Sequence, residues 1–439
     1  MKTIINSGIM LFLSISLFAQ DINRKKIDSL FSIIDQNNKG MGSVSIFKNG
    51  KETYHNSIGY ADYKNRKKAN VETKYRIGSI SKTFTAALVM QLIEEGKLQL
   101  DTKLSLFYPQ IPNSDKIKIE DLLRHQSGLY NFTNSEDFEQ WKGQKQSREQ
   151  LLKRFTQNPI VFEPGEKTQY SNTNYVLLSF IVEDIEKTEF AEVLIKKILK
   201  PLHLENTYFG SELDPAKGEA LAYQQSGDWT PVEETDMSIV LGAGGIISTP
   251  SDLNKFYTAL FNGEIVKPES LSKMIKTQED VGMGILKIPL LGRTFYGHTG
   301  GIDGFNSVVV FLPEEKTSIA FCSNARDMAP AQILEGVASI YFGEEYDLPS
   351  FESLELTTAQ LKQFEGKYSA EGFPLILEIF EKDGQLMGQA EGQPSFPLEA
   401  YETNKFKFER LGLKLEFNTA ENIMIFRQGK NEHELKRAL

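Results

Sequence analysis

A single cysteine, Cys322, stands in a chain of 439 residues, so no intrachain disulfide can form in any compartment. It lies in the apolar run Ser318–Cys322, which marks it as a buried structural residue rather than a nucleophile. Beyond the N-terminus no stretch is apolar enough to read as a transmembrane helix. Positive charge is in deficit too, with 49 Lys and Arg against 59 Asp and Glu and a formal charge of −10. That balance argues against a nucleic-acid binder and leaves no basic patch for an acidic membrane surface. No grouping of His, Cys, Asp or Glu has metal-ligand spacing, so no metal and no cofactor are expected. Internal repeats and low-complexity segments are absent.

Residues 1–20 read as a secretory signal peptide. Lys2 gives the positive start, and Ile4 to Phe18 is an apolar run broken by Asn6, Ser7, Gly8 and two more serines. Ala19 supplies a small residue for cleavage near Ala19/Gln20. The run is too short and interrupted to span a bilayer, so the mature protein is expected to be exported, periplasmic or secreted, without stable membrane insertion.

A chain of this length exceeds one core. Apolar residues from Ile27 to Ile34 have helical spacing. Val44–Phe47 and Tyr54–Tyr60 flank Lys48-Asn49-Gly50-Lys51, and the Asn-Gly pair predicts a β-hairpin. The apolar run Thr83–Ile93 predicts a helix ending near Gly96. From Leu100 to Gln225 short helices and loops dominate. Ile119–Arg124 and Tyr175–Ile185 read as helices there, and Glu163-Pro164-Gly165 as a turn. Thr294–Gly297, Ser307–Leu312 and Thr317–Cys322 read as strands, the last two joined through Pro313–Lys316, and Ala331–Phe342 as a helix. Strands at both ends with helices between predict an α/β fold: an antiparallel sheet covered by terminal helices, with an inserted helical subdomain. The expected division is 1–20 leader, 21–346 main domain, 347–360 linker and 361–439 C-terminal domain. In the last, six short alternating segments between Leu375 and Phe426 predict a small all-β, barrel-like unit.

The chemistry concentrates in Ser79-Ile80-Ser81-Lys82. A serine and a lysine three apart share one face at the start of the predicted helix. The helix dipole there favours negative charge developing on the serine oxygen, and a lysine in a dry site can take up its proton. The same spacing recurs at Ser270–Lys273, which lacks comparable flanks and is read as coincidence. Ser81, next to the lysine, points to a different face. Two further fragments follow in order, Tyr170-Ser171-Asn172 and His298-Thr299-Gly300.

Ser-x-x-Lys, Tyr-x-Asn and a basic residue with Thr-Gly, in that order, resemble the serine β-lactamase-like family, in the pattern of class C β-lactamases, DD-peptidases and related esterases. The segment Arg76–Thr85 carries the likeness most densely, and it extends from about Ser45 to Phe342. It implies an α/β/α sandwich with the site at the seam between sheet and helical parts. It implies Ser79 as nucleophile, Lys82 as proton acceptor and Tyr170 as acid/base partner, without deciding which of the last two is the base. Asn172 would hydrogen-bond the lysine or a substrate amide. His298, Thr299 and Gly300 would line the site from an edge strand, and the backbone amides of Ser79 and Gly301 would form the oxyanion hole. Histidine in place of the lysine common in β-lactamases points toward peptidase or esterase members, because histidine can be neutral at working pH.

Leu122–Leu129 and Gly242–Leu253 also resemble family segments. His125 is read as structural. The glycine-rich segment is read as packing beneath the site, with Thr249 or Ser251 capping the next helix. Phe364–Tyr368 resembles the start of lipocalin-like modules that follow some members, and no catalytic constellation lies there. The sequence thus points to an exported serine hydrolase acting on a small-molecule or peptide substrate. A β-lactamase or a non-catalytic penicillin-binding sensor are the alternatives. The oligomeric state is not legible.

Overall fold

The computed structural model describes residues 23–226, 228–408, 411–428 and 431–438. The leader expected over residues 1–20 lies outside the described residues. Residues 23–36 form helix α1. Strands β1 (Gly40–Lys48) and β2 (Lys51–Ile58) follow as the expected hairpin, turned at Asn49 and Gly50. Next come helices α2 (Ser81–Glu94), α3 (Asn172–Glu186), α4 (Met237–Gly244) and α5 (Pro250–Phe261). Strands β3 (Leu286–Leu290), β4 (Arg293–Ile302), β5 (Phe305–Leu312) and β6 (Thr317–Arg326) precede helix α6 (Pro330–Phe342).

The six strands form one antiparallel sheet in the order β3-β4-β5-β6-β1-β2. The two ends of the domain are therefore joined at its centre, with Ile46 of β1 opposite Ile319 of β6. Period-two alternation sends Val308, Val310 and Leu312 to one face, where they pack with Ile27, Leu30 and Phe31 of α1 and Ile333 and Val337 of α6. Val309 and Phe311 face the other way and join the larger core built on α2, α3 and α5. Strand β1 splits in the same manner. Val44 and Ile46 lie under α1, while Ser45 turns toward α5, whose Asn254 donates to its carbonyl at 2.9 Å.

Helix α2 is buried without a break from Ser81 to Met90. It lacks a polar stripe because it runs between the sheet and the helical part instead of along a surface. Gly96 follows it with φ +71° and ends the run as expected. Among the described residues no helix is long and apolar enough to cross a membrane.

The C-terminal part is a closed antiparallel barrel of eight strands: β7 (Gly366–Ser369), β8 (Leu377–Lys382), β9 (Gln385–Ala390), β10 (Phe396–Glu402), β11 (Lys405–Phe408), β12 (Leu413–Asn418), β13 (Ile423–Gln428) and β14 (Asn431–Arg437). Six of these strands match segments read from the sequence. The other two, β7 and β14, close the barrel on each other through Tyr368 and Arg437, which removes both sheet edges. Strand β14 escaped the sequence reading because Leu435 is its one buried residue. Of the stretch 347–360, Leu348 and Phe351 pack with Tyr346 on the α1–α6 core. From Leu354, whose N–H donates to Ala400 O at 2.7 Å, the chain belongs with the barrel, and the short helix Thr358–Lys362 buries Leu361 in its core.

Candidate active site

Ser79 lies in a 3₁₀ turn, Gly78–Ile80, that runs directly into α2, and its side chain caps neither start. Lys82 follows on the same face, fully buried, with Nζ 3.0 Å from Ser79 Oγ. The Tyr170 hydroxyl comes from the segment leading into α3 and donates to the same Ser79 oxygen at 2.7 Å. Lys82 Nζ also donates to Asn172 Oδ1 at 2.8 Å and to Ala243 O at 2.7 Å. Burial holds its pKa well below the ordinary lysine value. A neutral amine has two N–H groups, and these two acceptors use both. The remaining lone pair is then available to the Ser79 hydroxyl. The Tyr170 phenol is displaced the other way. Desolvation raises it, against the hydrogen bond to Ser79, so it stays protonated at neutral pH.

Asn172 opens α3, and its own contacts orient the amide. Its backbone N–H donates to Asn131 Oδ1 at 2.9 Å and its Nδ2 to Thr133 Oγ1 at 3.1 Å, which leaves Oδ1 for Lys82. Of the two partners implied for Asn172, the structure contains the lysine.

Strand β3 pairs with β4 only as far as Gly297. The stretch His298–Ile302 runs on beyond it, paired with β5, and lies against the Ser79 turn. The approach is close enough to demand glycine. A Cβ on Gly300 would meet Ile77 O at 1.9 Å, and one on Gly78, which has φ +50°, would meet Gly301 N at 2.8 Å. Ser307 of β5 pins the same place, donating to Ile77 O at 2.8 Å. The backbones of Ser79 and Gly301 are thereby neighbours. Arg76 ties the two elements further. Its buried guanidinium donates to Asp303 Oδ2 at 2.7 Å, just past β4, and to Glu234 Oε2 at 2.6 Å.

His298 is buried, and its Nδ1 lies 2.6 Å from Thr299 O. A carbonyl can only accept, so Nδ1 carries the proton. Burial lowers His298 to about 4, so the ring is neutral near pH 7. Thr299, the next residue on the strand, is exposed.

The structure therefore gathers Ser79, Lys82, Tyr170 and Asn172 and lays the His298–Gly301 strand beside them. It also adds participants that the sequence left without a role. Ala243 belongs to the glycine-rich segment, and its carbonyl holds Lys82. Two residues earlier, Leu241 adopts φ 36°, ψ −131° inside α4, a strained conformation beside the lysine's acceptor. His125 stacks on the Tyr170 ring with centroids 4.3 Å apart. Asp303 carries no motif signal, since only the fold brings it to Arg76.

The competing residues lie elsewhere. Ser81 is buried, and its Oγ accepts from Ile246 N at 3.1 Å. Ser270–Lys273 falls on the separate helix Pro268–Ile275, where Lys273 is exposed. Thr249, not Ser251, caps α5 by accepting from Asp252 N. Burial pushes the Cys322 thiol up, away from thiolate chemistry. Among the described residues no group of three or more His, Cys, Asp or Glu side chains could hold a metal ion.

A family model described as Beta-lactamase matches residues 30–338. A penicillin-binding protein of Bacillus subtilis (strain 168) is 25% identical, over 94% of this chain and 98% of its own length. Teichoic acid D-alanine hydrolase of Staphylococcus aureus (strain NCTC 8325 / PS 47) is 28% identical, over 65% of this chain and 70% of its own. Among solved structures, the octameric penicillin-binding protein homologue from Pyrococcus abyssi superposes with a TM-score of 0.67 at 25% identity. It covers 94% of this chain and 99% of its own, so the likeness includes the barrel.

Proposed function

Since the chain belongs to the Beta-lactamase family, whose members related to it are hydrolases of the penicillin-binding type, we propose that it cleaves an amide or ester bond through an acyl-enzyme on Ser79. The observation that carries this reading is the Ser79 hydroxyl between Lys82 Nζ at 3.0 Å and Tyr170 Oη at 2.7 Å. Lys82, held neutral by burial, takes the Ser79 proton as Oγ bonds to the substrate carbonyl carbon. The N–H groups of Ser79 and Gly301 receive the oxyanion. As the tetrahedral intermediate collapses, the bond to the leaving atom breaks and that atom takes the Tyr170 proton. The Lys82 ammonium then returns its proton to the phenolate. Water clears the acyl group by the reverse path. Asn172 keeps the amine in place throughout, and Thr299 and Gly300 border the substrate.

Lys82 is the base in this scheme, because the Tyr170 phenol is raised and would not be ionised in the resting enzyme. A neutral His298 supplies no cation for the carboxylate of a β-lactam, which supports peptidase or esterase chemistry. For the acyl group we favour a D-amino acid, the class named for the Staphylococcus relative. The leader read over residues 1–20 supports action outside the cytoplasm, periplasmic or secreted.

The test is mass spectrometry after exposure to a fluorophosphonate and to a penicillin, with turnover measured on D-alanyl esters, D-amino-acid amides and a chromogenic β-lactam. One adduct on Ser79, none in Ser79→Ala, and turnover of the D-amino acid substrates are expected. An adduct on Ser81, or labelling that survives in Ser79→Ala, would refute the assignment.

A further inference from the structure

Tyr170 is 40% exposed at the rim of the site, yet its hydroxyl is held 2.7 Å from Ser79 Oγ. An exposed ring needs an anchor to keep such a position. Three contacts from one residue provide it. The His125 carbonyl accepts from Gln169 N at 2.8 Å. Its Nδ1 accepts from Ser171 N at 3.1 Å. Its ring stacks on the Tyr170 ring with centroids 4.3 Å apart and planes 29° apart. His125 thus clasps the residues on both sides of Tyr170 as well as the ring itself.

His125 is itself held firmly. The Tyr175 ring lies 5.1 Å away, and Tyr175 is anchored through its hydroxyl to Leu123 O at 2.7 Å. The His125 backbone takes the left-handed φ of 58°, a conformation that a side-chain-bearing residue keeps only where its surroundings fix it. The lower ring is therefore a rigid platform for the upper one.

Resting on the reading that Ser79 forms the acyl-enzyme, we propose that His125 is a positioning residue, whose uncharged imidazole holds the Tyr170 hydroxyl in register with Ser79. The hydrogen bond fixes the chemistry of the ring. Because Nδ1 accepts from Ser171, the ring proton sits on Nε2. Protonation of Nδ1 would set two donors face to face and release the segment. Burial lowers His125 well below the ordinary histidine value, so the accepting form persists.

Two variants test this in the full chain. Asparagine at 125 tolerates the left-handed backbone and keeps an acceptor near Nδ1, but removes the stacked ring. Phenylalanine keeps a ring and removes the acceptor. In His125→Asn and His125→Phe, acylation of Ser79 by a p-nitrophenyl ester is expected to slow about tenfold to a hundredfold, the scale for a misplaced catalytic group. The thermal midpoint should fall by several degrees at most, the scale of one lost buried contact, and the fold should be kept. The same substitutions are then made in a Tyr170→Phe background, where no hydroxyl remains to be placed, and should cost less than twofold there. An equal loss in both backgrounds would overturn the proposal, as would acylation unchanged in both single variants. Collapse of the thermal midpoint in both would also overturn it, since His125 would then support the fold and not the phenol. Failure of wild-type Ser79 to be acylated at all is a separate result, and it refutes the underlying reading.

Discussion

Acid should destabilise this protein partly through His298, and the size of the effect follows from the structure. The imidazole is buried beside Lys82 and titrates at about 4 instead of 6.5. The unfolded chain therefore binds the proton first as pH falls, and stability falls with it. Above 6.5 neither state holds the proton, so nothing is lost. Below about 4 both hold it and the loss is complete. The interval from 6.5 to about 4, at about 1.4 kcal/mol per pH unit, corresponds to about 3 kcal/mol. That is a large share of the ~5–15 kcal/mol typical of a domain. The perturbation is His298→Asn, whose side-chain amide can still donate to Thr299 O but does not titrate. Urea unfolding is followed by tryptophan fluorescence across this pH range. Both tryptophans, Trp141 and Trp229, are buried in the sheet-and-helix part and neither is in the barrel, so the signal reports the relevant domain. His125 and the carboxylates titrate in both proteins and fall out of the comparison. Wild type is expected to lose about 3 kcal/mol more than the variant between neutral pH and about pH 4. Parallel stability curves for the two proteins would refute the assignment of a buried, neutral His298.

Lys82→Ala and Tyr170→Phe should each slow acylation by about 10²–10⁴, read as the burst rate with a chromogenic ester; near-wild-type acylation in either would require another base or acid. Because burial depresses Lys82, the acid limb of kcat/KM should fall below the ordinary lysine range, and a limb at the free-lysine position would contradict a neutral resting amine. Gly300→Ala places a Cβ 1.9 Å from Ile77 O, so the strand must move away from Ser79 and labelling should slow about a hundredfold; unchanged labelling would show that the strand is not held there. Removing residues 353–439 keeps Leu348 and Phe351 on the α1–α6 core and should leave Ser79 open to a fluorophosphonate. Well-folded truncated protein that no small probe acylates would mean that the barrel takes part in the site.

Local features of the chain carried much of this architecture. The Asn49-Gly50 pair fixes the first hairpin because few other residue pairs suit its backbone. The largely apolar run after Lys82 announces a central helix, and a lysine at its start must face a cavity. The order Ser79, Tyr170, His298 gave the family. Local signals fail where one element carries few apolar residues, as in β14 with Leu435 alone, or where a residue's partner is remote. His125 illustrates the second case: its neighbours in sequence suggest a structural role, and the stacked Tyr170 comes from a segment 45 positions further on.

By itself the sequence determined the first hairpin, the central helix after Ser79, that a serine has a lysine one turn away at its start, and that a second unit of short strands follows the first. These follow from periodicity and turn chemistry, which act over a few residues. Only the tertiary structure decided that Lys82 finds its acceptors at Asn172 and Ala243, 90 and 161 positions away, and that Gly300 lies against the nucleophile turn. The neutral states of Lys82 and His298 were decided there too. Proton affinity depends on how much water and charge surround a group, and that is set when distant segments close over it.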